Sequence, residues 1–121
     1  MLTKLEGMPA HVAAFRATGE VTKEDYENVL VPEIERVDKQ HGHIHFMMEM
    51  ATPSKNFSLG AWLQDAWHGL KHYRGWKKVA IVADEKTIEK ITNLFSAIIP
   101  GTSKGFALSQ LDEAKQWVAS E

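Results

Sequence analysis

Apolar residues run in short extended stretches at five places along this chain and recur at helical spacing at four others. The order of those stretches predicts an α/β domain. The clearest unit lies between His43 and Asp84. It opens with His43-Ile-His-Phe-Met-Met-Glu-Met50 and closes with Lys78-Val-Ala-Ile-Val-Ala-Asp84. Between them Leu59, Trp62, Leu63, Ala66, Trp67 and Leu70 make one apolar helical face behind Ser58, a good N-cap. A strand, a crossover helix and a second strand imply parallel pairing. That arrangement also brings a loop, a helix N-terminus and two strand ends to one edge.

The flanking pattern completes the prediction. Met1–Glu6 and His11–Thr18 read as strands joined through the Gly7-Met-Pro9 turn, hence antiparallel, with Gly19 ending the second. Thr22 and Asp25 have capping-box spacing, and Tyr26, Val29, Leu30, Ile34 and Val37 follow at helical spacing. Pro32 interrupts that helix and predicts a kink or two abutting helices, and Gly42 stops it. A third helix from Asp84 or Glu85 buries Ile88, Ile91, Leu94 and Phe95. Lys104–Leu108 is a last strand, and Ser109–Ala119 a last helix, capped by Ser109, with Leu111, Ala114, Trp117 and Val118 inward. The expected fold is a single domain over residues 1–121, with a mixed sheet of about five strands and four helices. The first two strands are antiparallel and the rest mainly parallel. Because His43, His45, Met47 and Glu49 share one face of their strand, that face is too polar to lie wholly beneath a helix, and the helices are expected to crowd mainly onto the other side.

Composition narrows the function classes. The 121 residues carry a net charge of −2, so no global basic field attracts nucleic acid or anionic lipid. No cysteine is present, which excludes disulfides, thiol nucleophiles and cysteine-bound metals. The N-terminus lacks an apolar signal segment, and no apolar run approaches the roughly 18 residues of a membrane span. The expected compartment is the cytoplasm.

Chemical signatures are sparse. No Gly-x-Ser-x-Gly elbow occurs, and Pro100-Gly-Thr-Ser-Lys-Gly105 lacks the order of a phosphate-binding loop. No catalytic residue and no cofactor is expected. Six histidines raise metal binding. Asp65, His68 and His72 share a helical face, and His41, His43 and His45 alternate, yet neither set completes a metal signature, so none is expected. Charge is segregated. Thr22–Gln40 holds six acids against three bases, while Lys71, Arg74, Lys77 and Lys78 stand without an acid. Two solvated faces explain this most simply. The alternative is a partner or anion surface formed by Lys71, Arg74, Trp76 and Lys77, with Trp76 exposed in the turn. A second anion or phosphate position is Ser58 with Gly60, at a helix N-terminus.

The order of elements and their punctuation resemble the SpoIIAA-like family, whose fold is shared by STAS domains and related to that of CRAL-TRIO domains. The residues carrying the resemblance are Phe15-Arg-Ala-Thr-Gly-Glu-Val-Thr-Lys-Glu-Asp-Tyr26, Val31-Pro-Glu33, Gly69-Leu-Lys-His72, Val79-Ala-Ile-Val-Ala-Asp84 and Leu94-Phe95. STAS antagonists carry a phosphorylatable serine in an Asp-Ser-Ser-Gly-like sequence. Here that place reads Asn56-Phe-Ser-Leu-Gly60, without the aspartate or the paired serines, which argues against a kinase-driven switch. The CRAL-TRIO relation implies an apolar or lipid-like small molecule beside the sheet, lined by Met47, Met50, Phe57 and Trp62. Two readings follow, both non-enzymatic: a small regulatory or ligand-binding module, or a STAS-type protein-interaction module acting through the Ser58 helix, self-association to a homodimer included. An unrecognised hydrolase or metal enzyme weighs least.

Overall fold

The structure, a computed structural model, describes residues 1–19, 22–51, 75–85, 88 and 102–120. Five strands form one sheet: β1 (Leu2–Lys4), β2 (Val12–Ala17), β3 (Ile44–Met50), β4 (Trp76–Ala83) and β5 (Thr102–Ala107). They are hydrogen-bonded in that order, with β1 antiparallel to β2 and every other pair parallel. This is the mixed sheet that the pattern predicts.

Among the described residues two helical segments accompany it. The first begins with α1 (Lys23–Asp25), passes through a π-turn over Tyr26–Leu30 and continues as α2 (Val31–His41). Its start is the predicted capping box. Thr22 Oγ1 accepts from the Asp25 amide and Asp25 Oδ2 accepts from the Thr22 amide, each at 3.1 Å. The π-turn is the physical form of the predicted interruption. Pro32 has no amide to donate to the Asn28 carbonyl, so the ladder widens just before it and the Val31 amide reaches back to Tyr26 instead. Gly42 ends α2 in the left-handed region at φ 70°, donating its amide to the Asp38 carbonyl at 2.9 Å.

The last helix is α3 (Leu111–Ala119), entered through a 3-10 turn at Leu108–Gln110. The predicted Ser109 cap is corrected here. Gln110 stands at the N-cap position of α3 without a side-chain cap bond, because the 3-10 turn moves the helix start past Ser109; its Oε1 instead accepts from the Ala107 amide at 3.0 Å at the entry to that turn. The other two predicted helices, near 58–70 and after Asp84, lie outside the described residues. The exception is the first turn of the later one, where the Ile88 amide donates to the Asp84 carbonyl at 2.9 Å.

The sheet is covered on both faces, which corrects the expectation that the second face of β3 is too polar to lie beneath a helix. Phe15, Phe46, Met48 and Ile81 pack against Leu30, Ile34 and Val37 on the α2 face. Val12, Ala14, Met47, Ala80 and Val82 pack against Ala114 and Val118 of α3 on the other. Every residue of β3 is therefore buried. The two polar residues of that face that β3 buries, His45 and Glu49, are each partnered. His45 donates from Nδ1 to the Val118 carbonyl at 2.6 Å, and Glu49 pairs with its cross-strand neighbour Arg16 at 3.2 Å. A paired polar group can be buried without the full desolvation penalty.

Trp76 is a second correction. It does not stand exposed in a turn; it opens β4, is 5% exposed, and meets the Phe46 ring edge-on at 6.0 Å. β4 starts before Lys78 because Trp76 pairs with Ile44, whose amide donates to the Gly75 carbonyl at 2.7 Å.

Candidate functional site

The parallel strands give the sheet two chemically different ends. At the C-terminal end the chain leaves β3 through Ala51, whose amide donates to the Ala17 carbonyl at 3.0 Å. It returns at Gly75, at the N-terminal end, where Trp76 pairs with Ile44. Most sequence candidates fall on the segment between. Phe57, Ser58, Gly60, Trp62, Asp65, His68, Lys71, His72 and Arg74 all lie outside the described residues.

The described candidates are not brought together as one pocket. Met47 is fully buried on the α3 face, whereas Met50 is buried on the α2 face, so the two belong to separate packed clusters. Successive strand residues point to opposite faces, and an odd separation divides them. Lys77 is exposed at the N-terminal end while its neighbour Trp76 is core, so these two do not share a surface either.

The N-terminal end carries the densest polar chemistry of the described residues. α3 terminates over it with its last carbonyls exposed to side-chain donors, as helix C-termini require. Three donors arrive from three strands. His11, just before β2, donates from Nε2 to the Ala119 carbonyl at 2.8 Å. His45 of β3 takes the Val118 carbonyl. Lys78 of β4 donates to the Trp117 carbonyl at 3.1 Å and to Ser120 Oγ at 2.5 Å. Because a carbonyl oxygen only accepts, these bonds place a proton on His11 Nε2 and on His45 Nδ1. Each donor also complements the negative end of the helix.

Beside this cap lies a cleft of about 270 Å³ lined by His11, His41, His43, His45 and Lys77. The His11 ring is edge-on to His45 at 4.9 Å and to His41 at 6.3 Å. The alternation of His41, His43 and His45 was visible in the sequence; His11 was not. Nothing local links residue 11 to residues 41–45. Only the parallel register, which sets Val12 against His45, brings it there.

A second cleft, about 430 Å³, lies between the loop after β1 and α2. Three of the four charged residues that line it, Lys4, Glu33 and Arg36, are committed to one another. Glu33, buried, accepts from Arg36 Nε at 3.1 Å and from Arg36 Nη2, and pairs with Lys4 at 3.3 Å. Burial by itself pushes the Glu33 carboxyl up, but the hydrogen bonds and charges of Arg36 and Lys4 outweigh it and hold the group below its ordinary value. A carboxyl depressed in the folded state contributes stability above the ordinary carboxylate range and loses it as pH falls through the folded value. Glu33→Gln is therefore expected to destabilise the protein most at neutral pH. The difference from wild type should shrink as acid is added, and urea denaturation at pH 7 and below pH 4 checks this.

Among the described residues no group of three or more His, Asp or Glu is placed to hold a metal ion, and no helix is long and apolar enough to cross a membrane. A family model described as SpoIIAA-like matches residues 12–119. No curated protein matches the chain, and no solved structure does.

Proposed function

We propose that this chain, which belongs to the SpoIIAA-like family over residues 12–119, is a non-enzymatic STAS-type module that docks another protein or a second copy of itself in the cytoplasm. The family match carries this reading, since STAS-type domains usually act through protein contacts. The docking element is the helix expected from Ser58. The chain leaves the sheet towards it at Ala51, at the C-terminal end, the end at which open α/β sheets present their recognition groups. Strand-to-strand association is disfavoured among the described residues. The edge strand β1 has three residues, and the edge strand β5 carries exposed Lys104.

The small-molecule alternative has less support. The methionine-rich strand on which it rested is packed, with Met47 at 0% and Met50 at 4% exposure. Native mass spectrometry of the protein purified from its own cells, before and after denaturation, tests the proposal. A bound protein partner or second copy is expected, with affinity changed at least tenfold by Ser58→Asp, a substitution that keeps a competent N-cap. An organic molecule released only on unfolding overturns the reading, as does partner binding that ignores the substitution.

A further inference from the structure

The cleft of about 430 Å³ between the loop after β1 and α2 adjoins the N-terminal end of β2, whereas the chain leaves the sheet towards Ser58 at the other end. We propose that it is a docking site for an acidic segment of a partner protein, seating a carboxylate on Lys4 and Arg36. This surface is additional to the Ser58 helix and does not depend on it.

The argument starts from the donors and acceptors of one buried ion cluster. Glu33 is 8% exposed, and both its oxygens are occupied. Oε1 accepts from Arg36 Nε at 3.1 Å and from Nη2, while Oε2 accepts from Arg36 Nε at 3.1 Å and pairs with Lys4 Nζ at 3.3 Å. The cations are not used up. Of its five N–H groups, Arg36 gives one from Nε and one from Nη2 to Glu33, and one from Nη1 to Gln40 Oε1 at 3.1 Å. One proton on each Nη remains, and the Lys4 ammonium keeps two of its three. The cluster therefore carries one net positive charge, and its unused groups are charged donors. Glu33 also fixes both cations in place, which lowers the ordering cost of receiving a second carboxylate.

The occupant is a chain segment rather than a small molecule. The volume exceeds that of a lone carboxylate and falls in the range of about 300–1,000 Å³ common for ligand sites. Yet Glu6, Gly7, Pro9 and Ala10 on its rim are exposed, so a small ligand would stay largely in water, whereas a peptide can enter and leave. Half-buried Leu5 and Met8 offer apolar contact beside the charges. The loop is pinned at both ends, by the Leu5 amide on the Ala14 carbonyl at 2.9 Å and the Val12 amide on the Pro9 carbonyl at 3.0 Å. Between the pins the Glu6, Gly7 and Met8 amides have no acceptor among the described residues, which leaves them for a peptide's carbonyls. Glu6 is the one lining acid outside the cluster. Being exposed, it opposes an incoming carboxylate only weakly.

Backbone-amide and arginine Nε–H NMR of the full chain is followed while acetyl-Leu-Glu-Glu-Leu-amide is added, with the glutamine counterpart of that peptide as control. Saturable shifts at Arg36 Nε, Gly7 and Met8 are expected from the acidic peptide and none from the glutamine one. Lys4→Gln is expected to weaken binding about fivefold and Glu6→Gln to tighten it about twofold, as exposed charge pairs allow. Both side chains are exposed, so the fold survives either change. Equal binding of the two peptides overturns the proposal, as does an absence of saturation at millimolar peptide. So do the two variants moving affinity in the same direction, or shifts centred on Lys77 and Lys104 instead of Arg36.

Discussion

Phe46→Ala is expected to cost about 4 kcal/mol of folding stability, a large share of what a domain of this size commonly has. Phe46 is fully buried in the middle of β3, the central strand. Its ring lies 5.7 Å from Phe15 and 6.0 Å from Trp76, so it joins the aromatic groups of three adjacent parallel strands. Truncation removes the transfer energy of the ring and leaves a cavity whose walls are backbone-anchored strands, which relax little. It also breaks two aromatic contacts. The melting temperature should fall by about 15 °C. Should the alanine variant not accumulate folded, Phe46→Leu keeps much of the volume and is expected to lose about half as much in urea denaturation. A loss below about 1 kcal/mol for alanine would contradict the packing at this position.

Gly75→Ala, a change of one methyl group, is expected to cost about 3 kcal/mol. An added Cβ would stand 2.4 Å from the Gly42 carbonyl oxygen, 3.2 Å from its carbon and 3.3 Å from the His43 Cα. All three are backbone atoms, so no side-chain rotation relieves the clash. Gly42 cannot retreat freely, being tied to Asp38 at the end of α2. The bond from the Ile44 amide to the Gly75 carbonyl joins the same two segments and would have to lengthen. Gly42→Ala is the informative companion. Nothing lies within 4 Å of its added Cβ, so only the positive φ is strained, at about 1–2 kcal/mol. Thermal denaturation of both should rank Gly75→Ala as the more damaging. The opposite order would place the main constraint in the helix end rather than in the contact between the two strand entrances.

These adjacent glycines show how far the sequence could be read. Gly42 as a helix stop is legible because the signal is local: a glycine following an amphipathic run that holds Ile34 and Val37. The same holds for the Thr22 capping box, the disturbance at Pro32 and the alternation along β3, all of which depend on residues within about four positions. Gly75 reads only as a turn, because the atoms that exclude a side chain there lie more than thirty positions earlier. Trp76 was misplaced for the same reason. Flanked by glycine and two lysines it looks exposed, yet pairing with Ile44 turns it onto Phe46.

The candidate site divides along the same line. His41, His43 and His45 announce themselves by spacing, but His11 joins them only through the β2–β3 register. Its carbonyl partner lies 108 residues away in α3. By itself the sequence determined the order of the five strands, the parallel β3–β4 unit, the first helix's cap and stop, and the family resemblance. Tertiary structure alone decided that α3 covers the second face of the sheet, that His45 and Glu49 are buried, and which side chains share the cleft. Element type follows from backbone preferences and short-range periodicity, which the chain carries in its local order. Burial and partnership depend on which distant backbones approach, and a helix C-terminus accepts whichever donor the stacked strands bring to it.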